Sequence, residues 1–225
     1  MPGRYFRAVY EIARKDLIVE TRSKQTINAA FVFAFLIIVV FSFVFGERVE
    51  DRDILARGAL WLAVVFGGAV GLSHAVALEG QNEAIEGLLL APVDRSAIYL
   101  GKVISAAILI GFISLLSLFF VAVFLGYAFD GNSLLLVALV VPLVAIGFSA
   151  VGVLLSMLML HSPLQESLLP VLLIPLVIPV ILSGTALTQV DIATGNAFEW
   201  LQILLVYDLL VLVVGWMTFE YVVEE

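Results

Sequence analysis

The chain has 225 residues, 63% of them hydrophobic and 13% charged, with a formal net charge of −8 and a mean hydropathy of +1.15. Soluble domains sit nearer about 45–50% apolar, so the composition excludes an ordinary soluble domain, and no nucleic-acid partner is expected. There is no cysteine, which excludes disulfides, thiolate metal sites, iron–sulfur ligation and haem attachment through C-x-x-C-H.

Several apolar runs exceed about 18 residues, the length that argues for crossing a bilayer as a helix. The expected fold class is all-α: a polytopic membrane protein forming a single transmembrane domain over 1–225. The first 25 residues read as an amphipathic helix. Phe6, Val9, Tyr10, Ala13 and Leu17 fall on one face, and Arg7, Glu11, Arg14 and Lys15 on the other. Six of the eleven Lys and Arg residues lie here, which predicts a helix in the interface plane against the lipid bilayer. No signal peptide is expected, because the first apolar run begins near Ile27, after those six basic residues, and no small-residue cleavage site follows it.

Six spans are predicted, at Ile27–Phe45, Leu60–Leu78, Ile98–Tyr127, Leu134–Leu160, Leu168–Leu187 and Trp200–Val222. The second carries Gly67 and Gly71 in a G-x-x-x-G. The fourth has small residues four apart at Ala145 and Ser149 and at Gly152 and Ser156, spacing that allows helices to approach closely. The fifth holds Pro170, Pro175 and Pro179, which are expected to kink or break it. Six spans put both termini on one side. With the N-terminus inside, eight basic residues face in, against Arg48, Arg52 and Arg57 facing out. The positive-inside rule then predicts cytoplasmic termini.

Between the second and third spans lies a polar island, residues 79–97. Ile85, Leu88 and Leu89 share one helical face, and Glu79, Glu83 and Glu86 another. Pro92 ends the pattern. A short helix held between two spans is a shape that docks on something outside the bilayer. The bland alternative is a solvated acidic face.

The chain has no nucleotide site of its own. Its single Gly-Lys, Gly101-Lys102, precedes Val103 and lacks the glycine-rich loop and hydroxyl of a phosphate cradle. No enzymatic activity is expected of it, since no Ser–His–acid or metal-ligand spacing is present. His74 and His161 are weak haem-ligand candidates, because a lone histidine is more often packed or solvated. Asp208 lies about 12 Å into the sixth span, counted from Trp200. It is either an intramembrane functional carboxylate or a hydrated group near the outer end.

The run Glu86-Gly87-Leu88-Leu89-Leu90-Ala91-Pro92, then Val93, Arg95 and Leu100-Gly101-Lys102, resembles the coupling segment of ABC-2 type permeases. With the six-span plan, the chain resembles the haem exporter protein B family over essentially its whole length. Glu83 departs from the pattern, in which a small residue commonly stands. The resemblance implies a bacterial or archaeal cytoplasmic membrane and a cytosolic ABC ATPase subunit that binds the ATP. It also implies a haem-handling membrane subunit and a small single-span subunit of the cytochrome c maturation system. Haem would be substrate of the complex rather than a cofactor bound by this chain. The residues expected to couple to the ATPase are Glu83, Glu86, Leu88, Leu89 and Pro92, and a homodimer is expected because one chain offers one coupling segment. The rivals are an ABC-2 permease for a lipid-linked glycan or a drug, a proton-coupled carrier using Asp208, and a non-transporting scaffold.

Overall fold

The computed structural model describes residues 2–46, 49, 51–81, 87–88, 90–127, 131–159, 165–189 and 197–224. Among them are seven helices and no strand: α1 (Pro2–Ser23), α2 (Gln25–Phe45), α3 (Arg52–Gln81), α4 (Arg95–Leu125), α5 (Gly131–Leu158), α6 (Gln165–Gln189) and α7 (Ala197–Glu224). The last six are long and apolar enough to cross a membrane. At 1.5 Å per residue, the 21 residues of α2 reach about 30 Å, one hydrocarbon thickness. The 31 residues of α4 reach about 45 Å, so α4 overshoots the bilayer by several turns.

Helix boundaries follow local chemistry. Lys24 joins α1 to α2 in a left-handed conformation, φ 56°, which turns the chain within one residue. Asp51 caps α3 by accepting from the backbone N–H groups of Asp53 and Ile54 at 3.0 and 3.2 Å. That cap starts the helix at Arg52, within the stretch read from sequence as loop. Asp94 caps α4 through Ser96 N–H, and Gly126, at φ 66°, supplies the left-handed residue that ends it. Despite three internal prolines, α6 is helical from end to end, so the expected break does not occur. Tyr207 on α7 donates to the Leu176 carbonyl in this stretch.

The bundle has a centre and a periphery. Within their spans α3 and α5 are 67% buried, α2 and α7 only 17%. The core runs through Trp61, Val64, Tyr99, Ile110, Ile113, Phe148, Leu173 and Leu204. Trp61 and Tyr99 are both fully buried. Trp61 donates to Thr188 Oγ1 at 3.1 Å, and Tyr99 to the Ala150 carbonyl at 3.1 Å. The small residues of spans two and four are consumed inside the chain. Gly67 and Gly71 face Ala34 and Ala30 of α2 and Ile113 of α4, and Gly152 faces Leu72 of α3. Ala145, Ser149 and Ser156 are buried as well. These surfaces are therefore taken up by close helix approach within the chain.

The two ends of the bundle are distinct. At one end the start of α4 meets α1 and the last turns of α7, because Trp216 Nε1 donates to the Tyr5 hydroxyl at 3.1 Å. Both terminal helices and the exit of the α3–α4 connection thus share that end. At the other end, the start of α3 meets the end of α4, where Arg57 Nε donates to the Tyr127 hydroxyl at 3.3 Å.

Candidate functional site

The middle of the segment read from sequence as the docking element, 82–86 and 89, falls outside the described residues. Glu83, Glu86 and Leu89 lie there, and His161 is likewise outside the described residues. The C-terminal flank of the segment is described. Leu88 and Val93 pack against the core of the chain itself, while Pro92 is exposed and Leu90 is 87% exposed. The backbone reverses between them, with Ala91 N–H donating to the Leu88 carbonyl at 3.2 Å and Val93 N–H to the Ala91 carbonyl at 2.7 Å. The turn therefore seats Leu88 inward and throws Leu90 outward. Helical spacing had singled out Leu88 and passed over Leu90. The signal for Leu90 was its position beside Pro92, where helical periodicity no longer decides which way a side chain points.

The flank leads straight into a polar chain. Ser96 donates to Asp94 Oδ1 at 2.6 Å. Because the Ser96 proton is committed there, the Tyr5 hydroxyl donates to Ser96 Oγ, 3.0 Å away. Trp216 in turn donates to Tyr5. Every donor in the series points toward the capping carboxylate of Asp94. One turn deeper, Tyr99 lies against Gly215 and Phe219 of α7. Deeper still, Lys102 on α4 is 5% exposed and stands 3.8 Å from Asp16 Oδ2 on α1. Ser105 reaches the same oxygen at 3.4 Å, and Lys15 reaches Oδ1 at 3.0 Å.

These contacts revise the reading of α1. Val9, Ile12 and Ala13 are buried, while Phe6 and Tyr10 remain 69% and 64% exposed. The predicted single apolar face is therefore two faces. One, centred on Val9, Ile12 and Asp16, is packed against α4. The neighbouring one, with Phe6 and Tyr10, is open, which suits lipid contact. Sequence reasoning missed Asp16 and Ile12, since an acid on an apolar helix face is legible as a contact only once its cation is known.

Asp208 lies inside the bundle. It is 4% exposed. Its carboxyl rests against Gly147 of α5, near Val180 of α6, and a methyl at position 147 would collide with it. Neither carboxyl oxygen has a hydrogen-bond partner among the described residues. His74 is exposed on α3. Among the described residues no group of three or more His, Asp or Glu side chains is placed to hold a metal ion.

Compared with family models, residues 7–224 match the one described as CcmB protein. No curated protein gave a match.

Proposed function

The chain belongs to the CcmB family, haem exporter protein B, which makes it a haem-exporter permease component of a cytochrome c maturation system, and from that premise we propose that it couples a separate cytosolic ATPase through the 79–97 segment. Its six apolar helices make it an integral membrane protein. The observation that carries the coupling reading is the flank at 88–94. Leu88 and Val93 anchor the segment to the bundle, and Leu90 and Pro92 stand exposed at the end that carries both terminal helices. An ATPase moves only its own domains, so its work reaches the spans through a rigid contact of this kind. In this reading Glu86 and Leu89, assisted by Glu83, engage the ATPase together with Leu90, and Leu88 holds the segment in place. The termini and the segment are cytoplasmic. The haem-handling and single-span subunits and a second copy of this chain complete the assembly.

The test is Glu86→Lys in a strain that depends on the chain. A cation placed in a contact shaped for an anion leaves a buried charge without its partner, which costs about 3–5 kcal/mol. An isolated surface glutamate would tolerate the change within about 0.5 kcal/mol. The variant is expected to insert normally and to lose the co-purifying ATPase, or to keep it and lose holo-cytochrome c. Wild-type levels of both would defeat the coupling reading. The intact complex, weighed by native mass spectrometry, is expected to hold two copies of this chain, and a single copy per two ATPases would refute the dimer.

A further inference from the structure

We propose that α1 is a working part of the coupling path: it is carried as one body with the first three turns of α4 and is joined to α7 through Tyr5, so that displacement arriving before Asp94 moves α1, α4 and α7 together. This rests on the ATPase partnership proposed above. A helix serving only as an interfacial anchor needs apolar area and a basic rim, and nothing more. Here α1 makes a set of specific attachments to one stretch of α4. Gly101 brings the two helices so close that a methyl there would stand 2.8 Å from Ile12 Cβ and 3.0 Å from the Val9 carbonyl oxygen. Lys102, buried, faces Asp16 at 3.8 Å. Tyr5 closes the series from Trp216 through Ser96 to Asp94.

The position of these attachments separates transmission from simple anchoring. All fall between Asp94 and Ser105, where the docking segment passes into α4. Their spacing on α4 spreads a push along α1, from Tyr5 near its start to Asp16 near its end. Tyr99, between Ser96 and Lys102, meets α7 at Gly215 and Phe219 and α5 at Ala150. The same turns of α4 therefore touch three other helices through buried or hydrogen-bonded contacts, and discrete contacts of this kind carry energetic coupling between sites.

Two conservative substitutions test the path. Tyr5→Phe deletes one oxygen and its two hydrogen bonds. Lys102→Met keeps the stem and removes the charge, while Asp16 retains Lys15. In cells, each is expected to leave the amount of assembled complex and bound ATPase unchanged, and to cut holo-cytochrome c per complex roughly two- to tenfold, the range of one net hydrogen bond. A purely structural role would lower the amount of complex and leave the yield per complex alone. An Ile12→Cys/Gly101→Cys pair, in a chain with no other cysteine, tests the one-body claim in the purified assembly. Cβ atoms this close need only a small parting of the helices to reach disulfide geometry. Oxidised, the pair is expected to keep the ATP hydrolysis rate of its reduced form. Unchanged yield in both substitutions, or hydrolysis that stops on oxidation and returns on reduction, would overturn the proposal. Should Lys102→Met fail to accumulate, Tyr5→Phe decides. If the unaltered chain binds no ATPase, the functional reading fails instead, and the wild-type control reveals this before any variant is compared.

Discussion

Asp208 shows how one residue can be legible and its setting not. An acid eight positions past Trp200 in an apolar run stands out in the sequence, but Gly147, which makes room for it, lies 61 positions earlier in the chain on another helix. The notch predicts strong non-additivity. Gly147→Ala drives a methyl into the carboxyl and should destabilise the folded chain by about 1–3 kcal/mol, as overpacking does. Asp208→Ala empties the same space. The double variant should therefore be more stable than the sum of the single losses predicts, by about 0.5–3 kcal/mol for residues in direct contact. Thermal unfolding in a fixed detergent, followed for all four chains, gives the coupling. Simple additivity would mean that the two positions do not meet. A buried carboxyl whose two oxygens find no partner among the described residues is costly to retain for packing alone. Activity of Asp208→Ala in cytochrome c maturation then separates a working group from a tolerated one.

At the scale of the element, α6 carries the instructive departure. Its prolines remove three backbone donors, and the sequence alone points to a kink or break. The helix nonetheless runs on through all three, as proline-bearing helices packed among neighbours in a membrane can. Tyr207 brings a hydroxyl from α7 to the Leu176 carbonyl, next to the carbonyl of Pro175, whose helical donor is lost to Pro179. Tyr207→Phe removes that donor and should cost about 1 kcal/mol, in the range measured for hydrogen bonds between membrane helices. A loss of α6–α7 packing, read as faster proteolysis at the 190–196 connection, would accompany it, and an unchanged unfolding midpoint would contradict the assignment. The spans were legible because a run of apolar residues long enough to cross a bilayer has few alternatives. The two faces of α1 were not, because Val9 and Tyr10 both fall within the broad amphipathic face, and only the position of Gly101 on α4 decides which is buried. Likewise, the inward seat of Leu88 and the outward one of Leu90 depend on a backbone turn that periodicity does not encode.

For the whole molecule, the structure shows which parts share an end, and the charge count gives the side expected for each. Trp216, Tyr5 and Ser96 bind one another, so both terminal helices and the start of α4 are at one end. The Arg57–Tyr127 pair sets the start of α3 and the end of α4 at the other. Accessibility must therefore change in two groups and never one site at a time. By the six-span topology, eight basic residues are expected on the first side and three on the second. Lys102 is spent on Asp16, yet seven against three still favours a cytoplasmic first side. Because Asp51 caps α3, the cysteine for that end is better placed at Glu50, with others at Glu86, Asn132 and Glu225. In intact cells a membrane-impermeant thiol reagent should label positions 50 and 132, and positions 86 and 225 only after the membrane is opened. Labelling of 86 and 225 together from outside would invert the orientation and leave the fold standing. Labelling of 86 without 225 would break the shared end itself, and with it the proposed route from the docking segment through α4 to α1 and α7.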